Sequence, residues 1–105
     1  MEKEKVMDIA FQIIAYAGEA FDHYNHAIVC AENLNFDEAE TDIKNGKQAI
    51  KEAHKAQMDL IVAEANGENI PYCLTMTHAQ DHLMNAILTE TIAKHLIAVA
   101  KMTQK

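Results

Sequence analysis

The sequence predicts an all-α fold, an antiparallel up-down-up bundle of three helices in a single domain spanning residues 1–105. Three observations carry this. Apolar residues recur at alternating three- and four-residue spacings over three long stretches. Short polar turns separate those stretches. The composition also suits close-packed helices and not sheets: half the residues are hydrophobic and six are Met, against 6% aromatic residues and a single proline. A chain of this length holds one core and no second domain.

The first stretch places Val6, Ile13, Ala20 and Ala27 on one seven-residue repeat and Ala10, Ala17, Tyr24 and Ala31 on another, which predicts a helix over about 4–33. Gly18 costs that helix about 1 kcal/mol relative to alanine. With Ala17 and Ala20 beside it, Gly18 is read as a close helix crossing and not a break. Asn33-Leu34-Asn35 is poor helix and good turn, and Asn35 with Glu38 three residues on forms a capping box. A second helix over 36–66 follows, with Phe36, Ala39, Ile43, Gly46, Ile50, Ala53, Gln57 and Leu60 facing the core. Asn66-Gly67 stops it, and Pro71 is placed in the first turn of a third helix over 71–102. Met76, Ala79, Leu83, Ala86, Ala93, Ile97 and Ala100 line that helix, and Ile87, Leu88, Ile92 and Leu96 broaden its apolar face beyond one seam. Short connections imply antiparallel neighbours, and the surplus apolar surface implies packing against further copies of the chain.

The formal charge of −7 excludes a nucleic-acid binder, which needs a basic patch to displace counterions from phosphates, and favours a partner with a basic face. Cys30 and Cys73 have neither metal-ribbon nor disulfide-framework spacing and are expected to be reduced and partly buried in a cytoplasmic protein. Met1-Glu2-Lys3-Glu4-Lys5 does not read as a signal peptide. No apolar run is expected to reach the roughly 20 residues of a membrane span.

One segment departs from the bundle pattern: Met76-Thr77-His78-Ala79-Gln80-Asp81-His82-Leu83-Met84. On a helix, His78, Asp81, His82 and Asn85 fall at i, i+3, i+4 and i+7 and make one polar ridge in an apolar segment. Spacing leaves three readings open. His78, Asp81 and His82 could ligate zinc or another transition metal. One histidine could be a nucleophile that accepts a phosphoryl group on a ring nitrogen. The ridge could also be solvated surface without chemistry.

His78-Ala79-Gln80-Asp81-His82-Leu83-Met84 resembles the active-site motif of the IIA components of lactose, cellobiose and chitobiose sugar phosphotransferase systems. Ala17-Gly18-Glu19-Ala20 resembles that family's first-helix crossing, and Glu52-Ala53-His54-Lys55-Ala56-Gln57 its second-helix signature. The resemblance implies a homotrimer of three-helix bundles in which His78 carries the phosphoryl group on Nε2. It implies HPr as donor, a cysteine of a IIB component as acceptor, and a IIC membrane permease as an indirect partner in uptake of a β-linked disaccharide. It also implies a divalent cation, Mg2+ by expectation, held by Asp81 of each subunit at the trimer axis. Three carboxylates about 5 Å apart repel by about 3 kcal/mol per pair at an effective dielectric near 20, so such a cluster needs a cation or shared protons.

Gln80 and His82 are the nearby donors nominated for positioning the phosphoryl oxygens, with interface hydrogen bonding as their alternative role. Gln57, at a core position, is assigned an interhelical hydrogen bond. His23, His26 and His95 are read as solvated surface residues. A third class, the histidine phosphotransfer domain of signalling relays, ordinarily has four helices, and only three helical patterns are present here.

Overall fold

The computed structural model describes residues 1–104. Helix α1 spans Lys3–Glu32, α2 Phe36–Ala65 and α3 Leu74–Met102. They run up, down and up, and α1 packs along both of the others while α2 and α3 touch each other less.

Both helix-ending turns are built by local hydrogen bonds. At the end of α1, Asn35 N–H donates to the Cys30 carbonyl (2.8 Å) and Leu34 N–H to that of Ala31 (3.0 Å). At the end of α2, Glu68 N–H reaches Ala63 and Gly67 N–H reaches Glu64, each at 3.0 Å. Each pair satisfies terminal carbonyls by the six-to-one and five-to-two pattern that needs a left-handed residue after the cap. Gly67 supplies it at φ 84°, whereas at the first turn Leu34 takes φ 62°. A branched side chain there costs roughly 1 kcal/mol or more. The Asn35–Glu38 cap forms with an altered partner. Asn35 Oδ1 accepts from Glu38 N–H at 3.4 Å, but the Glu38 carboxylate takes the Asn35 side-chain amide at 2.7 Å. The backbone N–H that a capping box would use is already committed to Cys30.

Helix α3 begins at Leu74, not Pro71. Cys73 is its N-cap, with extended backbone, and Thr77 N–H makes the first helical bond to the Cys73 carbonyl. The chain must cross from α2 to a helix that lies mainly against α1. An extended residue covers about 3.3 Å against 1.5 Å in a helix, so the connection through Pro71 stays extended. Ile70 and Cys73 pack into the core on the way, and the Met1 amino group donates to the Asn69 carbonyl at 3.2 Å and pairs with Glu68.

The core is mostly alanine with a few large side chains: Val6, Ile13, Tyr24 and Leu83 are fully buried. The close approach lies at Gly46 and not at Gly18. A Cβ on Gly46 would stand 2.8 Å from Tyr24 Cδ1 and Cζ, whereas one on Gly18 would meet only His82 Nε2, at an ordinary 3.5 Å. Tyr24 Oη donates to Glu90 at 2.9 Å, which satisfies the one polar atom of that ring.

Helix α3 carries two stripes on opposite faces. Ala79, Leu83, Ala86, Glu90, Ala93, Ile97 and Ala100 alternate at four and three residues and face the bundle, all of them buried or half-buried. Asp81, Asn85, Leu88, Ile92, His95 and Val99 follow the same alternation and are all exposed. By length and composition alone α3 is apolar enough to cross a membrane, although Asp81, Glu90 and Lys94 interrupt its apolar residues and no unbroken run reaches 20. A helix apolar on two faces passes that test whether its second face meets lipid or protein.

Candidate functional site

The ridge predicted from spacing forms in the first three turns of α3. His78 is exposed and His82 half-buried one turn later, with ring centroids 6.0 Å apart and planes inclined by 7°. The His82 ring lies beside Gly18 of α1, where an added Cβ would meet its Nε2 at an ordinary 3.5 Å. Asp81 and Asn85 are exposed on the same side of α3, where Asp81 begins the outer stripe. Among the described residues, no hydrogen bond within the chain engages the side chains of His78, Asp81 or His82. Their ligand atoms do not converge into a metal-sized cluster within one chain.

Gln80 points the other way. Its carbonyl oxygen accepts from Gln57 of α2, and its amide donates weakly to Met76 Sδ at 3.5 Å. Gln57 in turn accepts from His54 at 3.2 Å, given the Nδ1–H tautomer. Gln57 thus makes the interhelical bond expected of it, and Gln80 must rotate to meet a group on His78.

A second set of polar residues lies at the far end of α1. His26 is exposed, as expected, and His23 is half-buried, but both rings are engaged by Asp42. His23 Nδ1 is 3.1 Å from Asp42 Oδ1, and His26 Nδ1 makes a short hydrogen bond to Asp42 Oδ2. Asp42 is 8% exposed, the one buried carboxylate among the described residues. Its burial raises the carboxyl pKa, but hydrogen bonds from His26 and His23 outweigh this and hold it below the usual carboxylate range. The same bond, then the charge of Asp42, raises His26. Cys30 is buried 3.6 Å from His26 Nδ1; burial, then Glu38 and Asp42, push its thiol up. His95 is exposed, as expected.

The chain is a small three-helix protein that presents an exposed His78 parallel to the half-buried His82 on α3. The family described as the lactose/cellobiose-specific IIA subunit of the phosphotransferase system matches residues 8–101. The chain is 42% identical over 101 residues to the lactose-specific EIIA component of Staphylococcus epidermidis, covering 96% of this chain and 97% of that one. It is 39% identical to the lactose-specific EIIA component of Lactococcus lactis over the whole of both chains. The crystal structure of the cellobiose-specific enzyme IIA of Bacillus anthracis superposes with a TM-score of 0.91 at 36% identity, covering 97% of this chain and 92% of that one. The chain belongs to the lactose/cellobiose IIA family, and it is therefore a component of a sugar phosphotransferase system, of the transferase class.

Proposed function

We propose that this chain is a cytoplasmic phosphohistidine carrier that accepts a phosphoryl group from phospho-HPr on His78 and passes it to a cysteine of its IIB component. The observation that carries the reading is the position of His78: exposed, one turn before a stacked and partly buried His82, in a motif that the family resemblance marks. In-line transfer needs an imidazole nitrogen with a free lone pair and open access. The His78 Nε2 lone pair attacks phosphorus, and the bond to the donor breaks with its electrons leaving to the donor. In the second step the IIB thiolate attacks, the P–N bond breaks, and His78 is restored. His82, seated against Gly18, orients the first ring and offers an N–H to a phosphoryl oxygen. Gln80 offers a second donor once it leaves Gln57.

The outer stripe of α3 supports a homotrimer. Asp81, Asn85, Leu88, Ile92, His95 and Val99 have the spacing of a coiled-coil seam, and packing three such seams together covers the exposed Leu88, Ile92 and Val99. That packing brings three Asp81 carboxylates toward one axis, an oxygen-only donor set that fits Mg2+. The cation would neutralise the mutual repulsion of these carboxylates and takes no part in group transfer. The net charge of −7 suits docking to basic faces on HPr and IIB. The transported sugar is assigned to the lactose, cellobiose and chitobiose class, with selection made by the IIC permease.

Intact-mass analysis after incubation with phosphoenolpyruvate, enzyme I and HPr tests the carrier role. The expected result is one acid-labile phosphoryl adduct on the wild type and on His82→Ala, the latter formed more slowly, and none on His78→Ala. No adduct on the wild type, with phospho-HPr present, would overturn it.

A further inference from the structure

We propose that His26, Cys30 and Asp42 form a Zn2+ site, separate from the phosphoryl-carrying ridge, that clips the end of α1 to the start of α2. The ligand atoms of these three residues all lie within 4.8 Å of one another. They supply imidazole nitrogen, thiolate sulfur and carboxylate oxygen, the donor types zinc takes. His26 and Cys30 are one turn apart on α1, and Asp42 faces them from the second turn of α2.

The distances fit tetrahedral zinc with one adjustment. Bonds of about 2.0–2.1 Å to N and O and about 2.3 Å to S place N and S about 3.6 Å apart at the tetrahedral angle. Cys30 Sγ is 3.6 Å from His26 Nδ1 and 3.9 Å from Asp42 Oδ2. Only the short His26–Asp42 hydrogen bond must open, to about 3.3 Å, as the ion takes the place of the proton between them. His26 is free to make that movement, because its side chain is 52% exposed.

The surroundings support ligands already in position. His23 holds the other Asp42 oxygen at 3.1 Å, which leaves Oδ2 for the metal and is the outer contact that orients a ligating carboxylate. Binding releases the Cys30 thiol proton; the proton at His26 Nδ1 leaves if the ring is imidazolium and moves to Nε2 if it is neutral, so that a neutral imidazole ligates through Nδ1. Water completes the fourth position. With no metal bound, the His26–Asp42 and His23–Asp42 pairs satisfy the carboxylate.

Titration of the metal-stripped full-length protein with Co2+, followed by displacement with Zn2+, tests the site. The expected result is one equivalent per chain with thiolate-to-cobalt charge-transfer absorption and the strong visible bands of four-coordinate cobalt. These signals should vanish in Cys30→Ser, persist in Cys73→Ser and Asp81→Ala, and weaken with at least about a tenfold loss of affinity in His26→Ala, whose exposed position leaves the fold intact. Absence of charge-transfer absorption in the wild type would overturn the proposal. So would its persistence in Cys30→Ser, its loss in Cys73→Ser, or unchanged affinity in His26→Ala. None of these readouts depends on phosphoryl transfer by His78.

Discussion

Gly46→Ala should destabilise the protein although alanine is the better helix former. Gly46 is buried in α2 against the fully buried Tyr24 ring, and the added methyl would stand 2.8 Å from Cδ1 and Cζ. Normal carbon contacts lie near 3.5–4.0 Å, so ring or helix must yield by about 1 Å. The ring cannot swing freely, because Oη donates to Glu90 at 2.9 Å. Overpacking costs about 1–3 kcal/mol, and loss of a hydrogen bond to a charged group adds about 1.5–3 kcal/mol. Better helix propensity returns about 1 kcal/mol. The net loss is about 1.5–5 kcal/mol, or at least about 6 °C in Tm for a domain of this size. Gly18→Ala is the control: its methyl meets only His82 Nε2 at 3.5 Å, so the same propensity gain should appear as a small rise in Tm. Thermal unfolding by circular dichroism at matched protein concentration reads both, since the Tm of an oligomer varies with concentration. A Gly46→Ala protein as stable as wild type would refute the packing argument.

Other perturbations probe the outer face and the buried acid. Ile92, 46% exposed in the single chain, lies mid-stripe, and Ile92→Asp should dissociate the proposed trimer in sedimentation velocity while leaving helix content unchanged; a trimer that persists in the variant would place the interface elsewhere. In protein stripped of transition metal, added Mg2+ should raise the Tm of the wild type and leave that of Asp81→Asn unmoved, because the neutral amide has no charge for a cation to relieve; an equal response in both would exclude Asp81 as ligand. For Glu90, burial raises the carboxyl pKa, but hydrogen bonds from Lys94 and Tyr24 prevail and leave it lowered in the folded state. Its stabilisation is therefore present above the unfolded carboxylate pKa, near 4.5, and is lost as pH falls through the folded value. Glu90→Gln should cost about 1 kcal/mol at neutral pH and flatten the acid limb of the stability profile, and an unchanged acid limb would assign that limb to other groups.

What could be read from the sequence was what depends on neighbours along the chain. Helix type and length, the two turns and the His78–His82 alignment all follow from residues within one or two turns of each other. What escaped depends on register between helices. Gly18 adjoins an apolar repeat and Gly46 sits in one, and only the placement of Tyr24 opposite α2 decides which of them must lack a side chain. The motif nominates Gln80 as a donor near His78, while its partner Gln57 lies 23 residues away on another helix. The start of α3 was set by the distance to be crossed and not by the helical preference of Pro71.

The His26–Asp42 pairing was in principle accessible. His23, His26 and Cys30 fall at i, i+3 and i+7 on one face of α1, a pattern that default burial statistics treat as solvated surface. Once Leu34 is taken as the tip of an antiparallel hairpin, positions equidistant from it face each other. His26 and Asp42 are each eight residues from Leu34, so the carboxylate must lie across from the imidazole. The same construction sets Tyr24, ten residues before the tip, close to Gly46, twelve after it. Both pairings therefore follow from a single turn. The left-handed Leu34 that makes that turn sets the register that buries Tyr24 against a bare backbone and closes His23, His26 and Cys30 around Asp42.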